Sequence, residues 1–109
     1  MKIEQRDIIV TNFFDGKHWK ERPALVVSNS ELQEAENMVY IVMISTKDYN
    51  PQYCYKLTDD MYTGHLEKDS FVKCHIIEFD ATQQIDKKIG KMKQEYFDEI
   101  VDKIIESIF

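Results

Sequence analysis

Most of the chain carries short apolar runs cut by turn residues, and only its last stretch switches to a helical period. Residues 6–14, Arg-Asp-Ile-Ile-Val-Thr-Asn-Phe-Phe, are β-branched and aromatic and break at Asp15-Gly16, a strong turn signal, which predicts a first strand there. A second strand is predicted over Ala24–Ser28 and a third over Met38–Ile44. Between them a short helix or turn fits Ser30–Glu36, where Ser30 and Gln33 stand at capping-box spacing. Asn50-Pro51 marks a further loop, followed by a short strand over Tyr53–Leu57 and a longer one over Phe71–Phe79. From Phe97 on, Ile100, Val101, Ile104, Ile105 and Ile108 recur at helical spacing with acids on the opposite face, an amphipathic C-terminal helix. Short strands at turn-separated spacing favour a small barrel over a parallel sheet, so the expected class is mainly β with an appended helix (α+β).

A length of 109 residues suits a single domain, 1–109, able to bury a core without metal or disulfide support. With 43% hydrophobic and 31% charged residues the composition is that of a globular protein rather than a disordered one. Cys54 and Cys74 are too few and too far apart for a metal cluster, so neither metal nor cofactor is expected, and a reducing compartment is their simplest home. Met1–Asp7 is polar where a signal peptide turns apolar, and the Met38–Ile44 run is far short of a membrane span. The expectation is a cytoplasmic protein with no membrane association.

A formal charge of -6 argues, taken alone, against nucleic acid, because Lys and Arg neutralising phosphates supply most of that binding energy. The excess acid is local, however. Between Gln94 and Phe109 five acids, Glu95, Asp98, Glu99, Asp102 and Glu106, face Lys103 alone, a balance of -4. The first loop, with Lys17, His18, Lys20 and Arg22, is left locally basic. Arg22 precedes Pro23 at the mouth of a buried strand. Its guanidinium stays charged at working pH while proline fixes the direction of the chain, an arrangement that suits an anionic ligand. The alternative is a solvated residue ahead of a core strand. Trp19 also has two readings, stacking on an unpaired base or folding back on the protein or a partner chain.

Five blocks in order resemble the MazF/PemK toxins: Asp7–Val10, Arg22–Asn29 (Arg-Pro-Ala-Leu-Val-Val-Ser-Asn), Tyr40–Lys47 (Tyr-Ile-Val-Met-Ile-Ser-Thr-Lys), Gly64–Val72 and Lys87–Met92. The resemblance spans nearly the whole chain and implies an SH3-like small barrel of the MazF/PemK and CcdB type. It further implies the toxin of a type II toxin–antitoxin pair, a homodimer that cuts single-stranded messenger RNA without a metal and is inhibited by a cognate antitoxin peptide. The family's functional pair, an arginine before the Pro-Ala strand and a threonine or serine after the third strand, falls on Arg22 and Thr46. RNA contacts are then expected from Lys17, Lys20, Ser45, Lys47 and Trp19. Two rival functions fit the same fold, a CcdB-like non-enzymatic inhibitor of gyrase and an interaction module or inactivated relative.

The implied chemistry is coherent. Attack of a ribose 2'-hydroxyl on the adjacent phosphate builds charge on the phosphoryl oxygens, which a guanidinium fork can meet. Neither Arg22 nor Thr46 is a suitable base, so the proton moves elsewhere, and His18, Glu21 and His75 are the candidates. The chain also departs from the family pattern. Asp15–Glu21 is shorter than the usual loop before the arginine, and Cys74-His75-Ile76-Ile77-Glu78 stands where many members have Asp-Gln-Ile-Arg.

Overall fold

The computed structural model describes residues 1–14 and 16–109, so the Asp15 half of the expected Asp15-Gly16 turn lies outside the described residues. Seven strands form one sheet: β1 (Asp7–Phe14), β2 (Trp19–Val26), β3 (Met38–Ser45), β4 (Cys54–Lys56), β5 (Tyr62–Gly64), β6 (Phe71–Ala81) and β7 (Lys87–Met92). Helix α1 (Ser30–Glu36) joins β2 to β3, and α2 (Gln94–Ile108) ends the chain. The sheet order is β4-β6-β3-β2-β1-β7-β5, and every neighbouring pair is antiparallel.

The central strands read as continuous apolar runs because both faces of the sheet are covered. Ile8, Leu25, Val42, Ile44, Val72 and Met92 face one core, which α2 closes with Phe97, Ile100 and Ile104. Ile9, Ala24, Val26, Val39 and Ile41 face a second core with Ile3, Phe13 and Ile85. Each Val, Leu, Ile, Phe or Met side chain among these contributes roughly 1.5–3 kcal/mol when fully buried. A flat seven-stranded sheet would hold its edges about 29 Å apart. Yet Tyr62 of the β5 edge and Leu57, just past the β4 edge, share the first core, so the sheet coils around it.

The mainly β fold with its C-terminal helix is the expected one, but the sheet stays open where a barrel was expected. Its two edges are three-residue strands that pair only inward, β4 with β6 and β5 with β7. Strands β5 and β7 were absent from the expected set. β5 is too short to show a period, and four of the six residues of β7 are Lys or Gly. Their pairing depends on Gly64 facing Gly90, since a Cβ on Gly90 would come within 2.1 Å of the Thr63 carbonyl oxygen.

Strand β2 begins at Trp19, so residues 19–22 belong to a hairpin with β1 rather than to a loop. The cap of α1 is Asn29, whose side chain accepts from the Leu32 N–H, and not Ser30; Gln33 donates to the Ser28 carbonyl instead. Buried Asp7 ties β1 to β7 by pairing with Lys88 at 3.2 Å, and its carboxylate also accepts the Glu4 N–H of the preceding turn at 2.7 Å.

Candidate functional site

Arg22 sits on β2 opposite Thr11 of β1, and Pro23 opposite Val10. Strand β2 pairs with β3 through Ala24–Met43, and the same register carried two residues further sets Arg22 across from Ser45. The chain leaves β3 at Ser45 in a turn held by the Lys47 N–H donating to Ser45 Oγ at 3.1 Å. Arg22, Pro23, Ser45, Thr46, Lys47 and the buried Ser70 therefore line one cleft of about 110 Å³. Ser70 is fixed there by its hydroxyl donating to the Lys68 carbonyl at 2.9 Å and by its own carbonyl accepting from the Leu57 N–H.

The ends of β2 and β3 thus bring Arg22, Ser45, Thr46 and Lys47 together although more than twenty residues separate the two segments. Among the described residues no hydrogen bond or ion pair occupies the Arg22 guanidinium, and the side chain is exposed. A planar fork of donors at the cleft wall, with a hydroxyl and an ammonium beside it, can hold a tetrahedral oxyanion.

The remaining expected site residues lie elsewhere. Trp19 is three residues out from Arg22 along β2, roughly 10 Å at strand rise. Its ring packs on Phe14 at 5.3 Å, and it lines a separate hollow with Phe79, the fold-back arrangement, while remaining 69% exposed. Lys17 and His18 lie beyond it at the hairpin tip, and Lys20 stands opposite Phe13. Glu21 is opposite Asn12 and does not line the cleft. His75 belongs to an irregular stretch of β6, where Lys73 to Ile76 stand opposite Met43 alone; its ring lies 4.7 Å from Tyr53 and its Nδ1 is buried with no partner among the described residues.

Sequence reasoning missed four residues near the cleft: Ser70, His65, Lys68 and Lys87. Pro23, Thr46 and Ser70 also line a second hollow of about 320 Å³, which holds His65, Lys68 and Lys87. The blocks Gly64–Val72 and Lys87–Met92 were visible as strings. Only the pairing of β7 with β1, and of β5 with β7, puts them beside Arg22.

The architecture is shared with solved toxins. The MazE–MazF complex of Deinococcus radiodurans matches with 13% identity over 95% of this chain and 93% of that one, at a TM-score of 0.76. An endoribonuclease from a mycobacterial species matches with 15% identity over 98% and 92%, at 0.74, and a MazF toxin of Mycobacterium tuberculosis with 18% identity over 94% and 92%, at 0.69. At such identities the likeness establishes the fold, an antiparallel sheet with a C-terminal helix in the MazF manner. No curated protein matches the sequence. The family itself is defined by the sequence: the model for PemK-like, MazF-like toxins of type II toxin–antitoxin systems matches residues 4–108, and the chain belongs to that family.

Proposed function

We propose that the chain is a metal-independent endoribonuclease, acting in the cytoplasm on single-stranded RNA as the toxin of a type II pair. One observation carries this reading: in a member of the MazF/PemK family, Arg22, Ser45, Thr46 and Lys47 line a single cleft. In the reaction a ribose 2'-hydroxyl attacks the adjacent phosphorus and the P–O5' bond breaks, leaving a 2',3'-cyclic phosphate and a 5'-hydroxyl. Arg22 meets the charge that develops on the non-bridging oxygens, and Thr46 donates to the same phosphate and holds it in line. The fixed positive charge is the protein's own, so the reaction needs no cation.

Arg22 stays protonated, and the 2'-hydroxyl proton therefore leaves to another group. Of the three histidines His65 is the one on the hollow that shares Thr46 with the cleft, whereas His18 is at the hairpin tip and His75 packs at a tilt against Tyr53. His65 takes the proton in this scheme, and water protonates the departing 5'-oxygen.

The decisive experiment is incubation with a long single-stranded RNA in EDTA. Cleavage with cyclic-phosphate ends is the expected result. Arg22→Ala should lower the rate by about 10²–10³ while the circular-dichroism spectrum is unchanged, the usual loss for one oxyanion donor, and Thr46→Ala should be milder. A folded Arg22→Ala protein that cuts at the wild-type rate would overturn the assignment. A further solved relative is an endoribonuclease in complex with its cognate antitoxin, from a mycobacterial species. A corresponding antitoxin is the partner proposed here, with an acidic extended segment that competes for the same cations.

A further inference from the structure

The Arg22 cleft does not end at Thr46. Through Pro23, Thr46 and Ser70 it opens into the hollow that holds His65, Lys68 and Lys87, and this hollow in turn shares His65, Glu67 and Lys68 with a basin of about 390 Å³. Charge distinguishes the two continuations. Among the described residues, cleft and hollow together carry four cations, Arg22, Lys47, Lys68 and Lys87, against the carboxylate of Glu67, a balance of +3. The basin sets Lys56 and Lys68 against Asp59, Glu67 and Asp69, a balance of -1. The roomier concavity is thus the wrong sign for a polyanion, and the favourable path stops at Lys68 and Lys87.

The lysines of β7 are sorted the same way. Lys88 is held by Asp7 at 3.2 Å, and Lys91 by Glu4 at 3.5 Å and Asp7 at 3.7 Å. The ammonium groups of Lys87 and Lys68 have no hydrogen-bond or ion-pair partner among the described residues, and both side chains are exposed on the hollow. Lys87 pairs with Val10, which pairs with Pro23, so two strand spacings, about 10 Å, separate the backbone at Lys87 from that beside Arg22. Side chains anchored at that spacing can reach successive phosphates of one strand.

We propose that Lys68 and Lys87 form a second phosphate-binding station, which leads a single-stranded nucleic acid from the Arg22–Thr46 cleft across β1 and β7, away from the β1–β2 hairpin tip and short of the acidic basin. The identity of the polyanion rests on the ribonuclease reading; the path rests on the charges and the register. Binding here is backbone recognition without base readout, and it releases counterions.

The test is fluorescence anisotropy with a labelled all-deoxy oligonucleotide, which has no 2'-hydroxyl and is not cut, titrated at several salt concentrations. Lys68→Glu with Lys87→Glu is expected to raise Kd about tenfold, and the neutral pair Lys68→Gln with Lys87→Gln to reduce the slope of log K against log salt by about 1.4, close to 0.7 for each lost contact. Both double variants should keep the wild-type melting temperature, since neither lysine holds a partner. Lys17→Glu with Lys20→Glu, at the hairpin, should raise Kd clearly less than the Lys68 and Lys87 reversal does. If the hairpin reversal weakens binding while the Lys68 and Lys87 variants match the wild type, the strand passes over the hairpin and the station is wrong, with the ribonuclease reading intact. A wild-type protein that neither binds this oligonucleotide nor cleaves RNA overturns both.

Discussion

At the scale of single residues, position rather than residue type separates the three histidines and the two cysteines in what is expected of them. His65→Gln should lower kcat by about 10²–10⁴, the usual contribution of a general base, while His18→Gln and His75→Gln should leave it near the wild-type value. A His65→Gln protein that cuts at the wild-type rate would assign the proton to another group. Burial pushes the Cys74 thiol up to about 11 from an ordinary 9.0, and Lys103 counteracts this only in part. Thiol titration of the native protein at pH 8 should therefore register Cys54, which is partly exposed, and reach Cys74 only in denaturant. Above pH 9 the unfolded chain releases the Cys74 proton while the native state retains it to about pH 11, so stability should fall across that window and be insensitive to this group below it. Tyr55 adds to the loss at still higher pH, because burial and then Glu99 push its hydroxyl up to about 12.

At the scale of elements, α2 shows how far a periodic pattern reaches. The sequence marks six apolar positions, but the helix buries Phe97, Ile100 and Ile104, keeps Val101 half-buried, and leaves Ile105 52% and Ile108 43% exposed. A helix on one sheet face can bury only a stripe, and the wider apolar band faces outward. Ile100→Ala should cost about 2–5 kcal/mol in urea unfolding, whereas Ile105→Ala should stay within about 0.5 kcal/mol as a monomer. The legibility of strands follows the same logic. Strands β1, β3 and β6 were readable because buried β-branched runs are long, and β2 was read short because its outer half, Trp19–Arg22, is polar and gains its strand geometry from β1. The edge strand β5 and its neighbour β7 carry no pattern of their own and exist through pairing.

For the whole molecule, exposed apolar surface is the unfinished part. Phe14, Trp19, Tyr40 and Phe79 are all more than 40% exposed, as are Ile105, Ile108 and Phe109 on the terminal helix. Surface of this kind commonly marks association. With the family membership it leads to the prediction of a twofold homodimer, checked by light scattering at micromolar concentration; a 13.0 kDa species there would refute it. No helix among the described residues is long and apolar enough to cross a membrane. The acidic total of -6 coexists with a basic groove, because none of the residues lining the cleft or its continuation comes from the acid-rich α2.

By itself the sequence determined the mainly β class, the terminal helix, the family, and Arg22 with Thr46 as a candidate pair, because buried runs, helical periodicity and the Arg-Pro-Ala and Ser-Thr-Lys strings are local properties of the chain. Tertiary structure decided which other residues join them. His65, Lys68, Ser70 and Lys87 share a groove with Thr46 because β7 pairs with β1 and β5 with β7, and His18, Trp19 and Lys20 are carried off because β2 extends outward with β1 as a hairpin. Strand order is a set of contacts between segments distant along the chain, set by how two cores are filled at once; the apolar pattern of one strand says which residues are buried but not which strand lies beside it.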